Sequence, residues 1–153
     1  MAKFFRRGVS LIDFLPAVAS LSAVTDIEVA AGTELTPGIA AIGGFQLTNA
    51  PIALPNLADI FTPQITGEDT VADSSLTFND DNSVHTIRIA LAKGTAGFIL
   101  LRPYGAAPTK RNEVWPVKVT GFNDEWSVDN TGAKAVCGFA VTATPAQNGI
   151  NEA

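Results

Sequence analysis

Residues 67–105, GEDTVADSSLTFNDDNSVHTIRIALAKGTAGFILLRPYG, divide into a strand, a capped helix and a second strand, and their reading decides the fold. From Ala72 to Phe78, Ser74, Leu76 and Phe78 alternate with Asp73, Ser75 and Thr77, the period of a half-buried strand. Asp80, Asp81, Asn82 and Ser83 each favour an N-cap and place the helix start between 81 and 83. Val84, Ile87 and Leu91 follow at i, i+3 and i+7. Lys93-Gly94 supplies a cationic last turn and a left-handed stop, so the helix covers about residues 82–93. Ile89 lies about 200° round from Ile87, which gives this short helix a second apolar side and a second neighbour. Phe98 to Leu101 is an unbroken apolar run closed by Pro103 and Gly105, the pattern of a strand covered on both faces.

Upstream, residues 3–14 read as an extended arm or edge strand, with Val9 and Leu11 on one side. Short strands are expected over Asp26 to Ala30 and Ile39 to Thr48, with turns at Gly32, Thr36-Pro37-Gly38 and Gly43-Gly44. Residues 49–66, NAPIALPNLADIFTPQIT, combine three prolines with Ile52, Leu54, Leu57, Ile60 and Phe61. The prolines exclude a central strand or long helix, and the apolar residues are too many for a free loop, so this is a long loop that docks on something. Downstream, Glu113 to Phe122 alternates, Asn123-Asp124-Glu125 and Asp129 to Gly132 are turns, and Ala133 to Thr144 is a last strand ended by Pro145. The core set is Leu76, Phe78, Val84, Ile87, Leu91, Phe98, Leu100, Trp115, Val117, Phe139 and Val141.

A chain of 153 residues fits one domain that folds without staples, and its single Cys137 sits in an alternating apolar run as a small core residue. Only 16% of residues are charged, so some apolar surface is covered by other copies of the chain. The charges are segregated. Residues 1–7 hold three cations, whereas residues 8–87 hold ten carboxylates and no Lys or Arg. One surface is therefore strongly acidic, either to repel nucleic acid or simply as a solvated face kept for solubility. No run approaches the length of a membrane span. The N-terminus has a basic start and an Ala-x-Ala site at Ala17 to Ala19, but Asp13 and Pro16 make it a poor export signal.

No Walker loop, nucleophile elbow or dinucleotide fingerprint occurs. The single His85 reads as an exposed first-turn residue. Glu68-Asp69, Asp80-Asp81 and Asp124-Glu125 are sequence neighbours that point apart on an extended chain, and Asp80-Asp81-Asn82 lacks the glycine and distal glutamate of a calcium loop. No enzyme, cofactor or metal is indicated.

The phrases GEDTVADSSLTFNDD, IRIALAKGTAGFILLRPYG, EVWPVKVTGFNDEWSV and FAVTATPAQNG together resemble the tail tube (major tail) proteins of long-tailed, non-contractile bacteriophages, especially those of actinobacterial hosts, over the whole chain. The resemblance implies a two-sheet β-sandwich or barrel subunit with one flanking helix. Such subunits form hexameric rings that stack into a hollow tube of the virion, made in the host cytoplasm. Tape measure protein and tail terminator are the implied partners, and DNA passes through the lumen without specific binding. If Phe45, Leu47, Leu76 and Phe78 face the core, alternation sends Gln46, Thr48, Asp73, Ser75 and Thr77 to the lumen, with Glu68 and Asp69 joining an acidic collar. Phe4, Phe5, Val9, Leu11, Ile52, Leu54, Leu57, Ile60, Phe61 and Ile89 are the expected assembly residues. The competing reading is a secreted or surface β-sandwich binding module. A carboxylate hydrolase is the weakest.

Overall fold

The computed structural model describes residue 3, residues 5–80 and residues 84–151, without the side chains of Val84 and His85. In chain order the elements are β1 (Leu11–Leu15), α1 (Asp26–Ala30), β2 (Thr33–Glu34), a 3-10 turn (Thr36–Gly38), β3 (Ile39–Gly43), β4 (Leu47–Asn49), β5 (Ile52–Ala53), β6 (Gln64–Ile65), β7 (Asp69–Val71), β8 (Ser74–Asn79), α2 (Val84–Ala90), β9 (Ala96–Arg102), β10 (Arg111–Glu125), β11 (Lys134–Val141) and β12 (Ala146–Ile150). The chain is mainly β. One antiparallel sheet runs β2-β1-β9-β10-β11-β8-β3, with β12 beside the first residues of β10, and β4–β7 and β5–β6 are separate two-stranded ladders.

The two layers expected of a sandwich come from one sheet folded over on itself. Strands β2 and β3 are its opposite edges, yet only the link from Glu34 to Ile39 joins them. Seven strands laid flat would separate the edges by about 29 Å at the usual spacing. The five Cα–Cα steps from Glu34 to Ile39 span at most about 17 Å, so the sheet has to curl. It remains open, because β2 and β3 do not pair with each other. The concave side collects Ile12 and Phe14 from β1, Trp115 and Val117 from β10, Cys137 and Phe139 from β11, and Leu76 and Phe78 from β8 into one cluster. Leu91 closes that cluster after α2, and Ile87 packs against it. Burial pushes the Cys137 thiol up to about 12, which fits an inert core residue.

Strand β9 is covered on both faces as its composition demands. Ile99 belongs to the main cluster, while Leu100 joins Leu15, Val24 and Val114 in a second cluster on the convex side, with Phe98 packed against it. Val18, Leu21 and Val29 cover that second cluster from outside.

Several local expectations give way to stronger constraints. Asp26 to Ala30 is helical, because the Thr25 hydroxyl accepts from the Glu28 N–H and Asp26 and Glu28 lie in the first turn. The strand expected over Ile39 to Thr48 breaks at Gly44 and Phe45, which both have positive φ. The strand expected over Ala72 to Phe78 is confined to Ser74–Asn79, because Asp69–Val71 pairs with β4 instead. Residues 11–15 lie inside the sheet, between β2 and β9, so this part of the arm is no edge strand. Helix α2 ends at Ala90, short of Lys93, where Gly94 at φ 88° turns the chain and donates its N–H to the Val119 carbonyl. The proposed start at 81–83 lies outside the described residues. Asn123 to Glu125 is strand, paired to Val136, Ala135 and Lys134 past a bulge between Val119 and Gly121. Strand β12 was not anticipated, since Pro145 read as the end of the last strand. The buried Asn112 and Asn151 hold this end together. Asn112 Nδ2 donates to Asn151 Oδ1, and Asn151 Nδ2 donates to the Gly105 and Ala107 carbonyls.

Asp13 is buried and ion-paired with Arg102 of the neighbouring strand. Burial pushes its carboxyl above the ordinary 3.8; the Arg102 charge and hydrogen bond oppose this, and Glu34 adds slightly to it. The folded state thus holds the Asp13 proton more tightly than the unfolded chain does. The stability so gained is fully present below 3.8 and is lost as pH rises through the raised value. The difference in urea stability between wild type and Asp13→Asn, measured from about pH 3 to pH 7, should show that loss. In the core, Leu91→Ala should cost about 2–5 kcal/mol and Phe139→Ala about 3–5 kcal/mol in the same assay.

Candidate functional site

The most exposed part of the molecule is a hairpin that leaves the sheet at Leu47 and returns at Val71. Leu47 pairs with Val71, Thr48 with Thr70, and Asn49 with Asp69; further out Ile52 pairs with Ile65 and Ala53 with Gln64. The two ladders are therefore one ribbon with an irregularity between them. Asn49 stitches that irregularity: its Nδ2 donates to the Gly67 carbonyl and to Asp69 Oδ1, and its Oδ1 accepts from the Gly67 N–H. A Cβ on Gly67 would stand 2.0 Å from the Ala50 carbonyl oxygen, so only glycine fits there. At the tip, Asn56 Oδ1 accepts from the Ala58 and Asp59 N–H groups and Leu54 N–H donates to the Pro63 carbonyl. Prolines are tolerated because both edges of this ribbon face away from any sheet.

The base of the hairpin is fixed by the core. Gly44 and Phe45 have φ of 78° and 56°, and Phe45 N–H donates to Ser74 Oγ. The Phe45 ring packs edge-on to Trp115 at 5.8 Å and tilted on Phe139 at 6.1 Å. A bulky residue in the left-handed region is costly, and its deep burial offsets the cost. Beyond Leu47 and Val71, which pack on the core, residues 50–66 are all exposed. Leu57, Ile60 and Phe61 at the tip are 109%, 106% and 78% exposed, so nothing in this subunit covers them.

The second feature is the convex side of the sheet away from α1. Register places Ser75 beside Gly138, Thr77 beside Val136 and Ala41, and Lys118 beside Ala140 and Ala96, all opposite the core-facing residues. This face is made of small and hydroxyl-bearing side chains, with Lys118 as the charge near its middle. Asp73, two residues before Ser75, is exposed at its margin. Elsewhere, Arg88 of α2 forms an ion pair with Asp124 and lies 4.7 Å above the Phe122 ring, which stacks on Phe78. Among the described residues no three His, Cys, Asp or Glu side chains are grouped to hold a metal, and no helix is long and apolar enough to cross a membrane.

The family described as phage tail tube protein matches residues 1–153. The chain belongs to that family. Two solved structures share its fold. One is a chain of the anti-feeding prophage baseplate, 7% identical, with a TM-score of 0.60 over 96% of this chain and 98% of that one. The other is a chain from the tail of an empty GTA particle, 12% identical, with a TM-score of 0.58 over 95% and 99%. No curated protein matches the chain.

The tail tube protein places the expected assembly residues in different settings. Ile52, Leu54, Leu57, Ile60 and Phe61 are exposed on the hairpin, Ile89 projects from α2, and Phe5 and Val9 are exposed on the arm. Leu11 is half-buried in β1 opposite Arg102, and Phe4 lies outside the described residues. Of the expected lumen residues, Ser75 and Thr77 share the bare face of the main sheet. Gln46 and Thr48 do not lie on that sheet: Gln46 precedes β4, and Thr48 donates to the Thr70 carbonyl within the hairpin. Glu68 and Asp69 also belong to the hairpin base, with Asp69 tied to Asn49. The His85 side chain lies outside the description. Strand β1, just before the Ala17 to Ala19 site, contributes Ile12, Phe14 and Leu15 to the core. Sequence reading missed Trp126 and Val128, exposed at 90% and 105% in the β10–β11 loop. Their signal was two large apolar residues inside a turn-forming stretch.

Because residues 50–66 are all exposed and none belongs to the core clusters, deleting 52–61 and closing the ribbon with a short turn should leave the subunit folded. The urea midpoint should move by less than about 1 kcal/mol equivalent, as for other surface changes.

Proposed function

We propose that this tail tube protein assembles into six-fold rings that stack into the hollow tail tube of a phage, a conduit for DNA during ejection. The exposed, internally ordered hairpin carries the reading. A ribbon whose backbone is braced by Asn49, Gly67 and Asn56, but whose large apolar tip is left in water, is built to meet another subunit. Such a contact joins unlike surfaces, so it propagates as a closed ring or an open stack. Both structural neighbours come from six-fold assemblies, a 6-fold symmetrised baseplate and a GTA tail with C6 symmetry, which supports six as the ring number.

In this arrangement the bare face with Ser75 and Thr77 lines the channel, and Asp73 recurs at its margin. Hydroxyl and small side chains keep the wall wetted without gripping phosphates, and repeated carboxylates discourage DNA from settling. Lys118 on the same face works against the carboxylates, so the wall is weakly polar and its acidity is concentrated at Asp73. Tape measure protein would occupy the lumen before DNA, and a tail terminator would cap the last ring. Function resides in the channel, and no catalytic group is assigned.

Purified protein should form tubes with a central hole in negative-stain images, and a species that stays monomeric at all concentrations would refute the reading. Deletion of 52–61 should abolish tubes while leaving a folded subunit. Asp73→Lys should still assemble but retain DNA at low salt and release it as salt rises, through counterion release. Unchanged DNA passage in that variant would show that Asp73 faces elsewhere.

A further inference from the structure

Where the arm and the start of β1 face β3, the curled sheet leaves an open seam that forms a groove of about 460 Å³. Arg6 and Arg7 flank it on the arm side, and Ile39 and Ile42 line it from the outer edge of β3, which has no strand partner among the described residues. Thr36 also lines it, and its hydroxyl accepts from the Ile12 N–H and donates to the Ile12 carbonyl. The basic side is a fixed turn: the Arg6 carbonyl accepts from the Val9 and Ser10 N–H groups, and Ser10 Oγ donates to the Pro103 carbonyl. Arg7 lies 6.0 Å from the Phe5 ring.

We infer that this seam is the receptor for the hairpin tip of a second copy of the chain, so that Leu57, Ile60 and Phe61 enter beside Ile39 and Ile42 while Asp59 meets Arg6 and Arg7. The inference rests on the tube reading and gives the tip its specific acceptor. Charge selects the acceptor. The hairpin, residues 46–73, carries Asp59, Glu68, Asp69 and Asp73 and no cation, and Arg6 and Arg7 with Lys3 are the only cations among the first 87 residues. The other hollow of similar size, about 480 Å³ beside Trp126, is bordered by Asp80, Asp124 and Glu125 against Lys134, with Asp124 already paired to Arg88, so it offers an acidic tip no net attraction. A third, about 180 Å³, lies at the hairpin's own base and includes Asp69. Shape agrees as well: the ribbon is an extended pair of strands, and β3 offers it an apolar edge with unused backbone hydrogen-bonding groups. Reach is sufficient, because about nine extended residues from Asn49 to Ala58 span up to roughly 30 Å.

The test joins copies covalently. Ile60→Cys protein and Ile42→Cys protein are mixed in equal amounts, assembled and oxidised; the native Cys137 is buried and does not compete. A covalent dimer with one of each substitution is expected, and Ser127→Cys, placed in the Trp126 hollow, should not link to Ile60→Cys. Independently, Asp59→Arg should slow tube growth at least tenfold, as should Arg6→Glu with Arg7→Glu, and the combination in one chain should restore it. Tubes that link through Ser127, tubes that link at neither position, or a combined variant whose losses add would overturn the docking while leaving the tube function standing. A wild-type protein that never assembles would overturn both.

Discussion

The short link from Glu34 to Ile39 governs the molecule. Because it ties the two edge strands of a seven-strand path together, the sheet must curl, and curling lets β1 and β8 contribute to one core despite lying at distant places in the strand order. The same link prevents closure. Its 3-10 turn contains Pro37, and Thr36 spends its hydroxyl on both backbone groups of Ile12. The backbone edges of β2 and β3 therefore diverge from this point instead of pairing, and an open seam is the geometric result. An enclosed core and an accessible edge are consequences of one constraint.

The second constraint is the pivot at Gly44-Phe45. A strand leaving β3 without it would continue beside β8. The left-handed pair swings the chain out of the sheet, and Gly44 has no alternative, since a Cβ there would stand 2.7 Å from the Asp73 carbonyl oxygen and the Ser74 Cα. Phe45 then locks the direction by burying its ring between Trp115 and Phe139. Core packing thus aims the hairpin, although the hairpin contributes almost nothing to the core. Folding and assembly are energetically separable in this chain: loss of the tip leaves the subunit intact, whereas loss of packing around Phe45 would both destabilise the fold and misdirect the tip.

This separation explains what could be read from residues alone. Elements whose pattern serves the core were legible: the alternation of β8 and β11, the apolar run of β9 and the helical spacing of Ile87 and Leu91 all face where their periods place them. Ile89 also points to solvent as its angle requires. Elements set by chain geometry were not. The five-residue α1 depends on one capping hydroxyl at Thr25, the inner position of β1 depends on the remote partners Leu100 and Glu34, and Gly44-Phe45 looks like any other turn until Phe45 is seen to be buried. The segment 49–66 was recognised by its mixture of prolines and large apolar residues, but its ribbon form came from pairing with 64–71, which a proline-rich sequence hides. The candidate lumen set divided for the same reason: period two is valid within a strand and loses its meaning across the pivot, so Ser75 and Thr77 share a face while Gln46 and Thr48 do not.

Low surface charge and a negative net charge act together in the proposed assembly. At a net −5 the free subunits repel one another weakly, and a tip of three large side chains offers too little area for a tight contact by itself. Two subunits meeting in solution therefore separate readily. Once subunits are held in a ring, each further hairpin contact forms at a high effective concentration, and a contact too weak for a dimer becomes cumulative. The apolar tip can then stay exposed on the free subunit without driving indiscriminate association, because its acidic flank is disfavoured beside Asp80 and Glu125 and favoured beside Arg6 and Arg7. On this argument the cation-free stretch from residue 8 to residue 87 is a specificity device. Within the first 87 residues it leaves the arm as the hairpin's attractive partner.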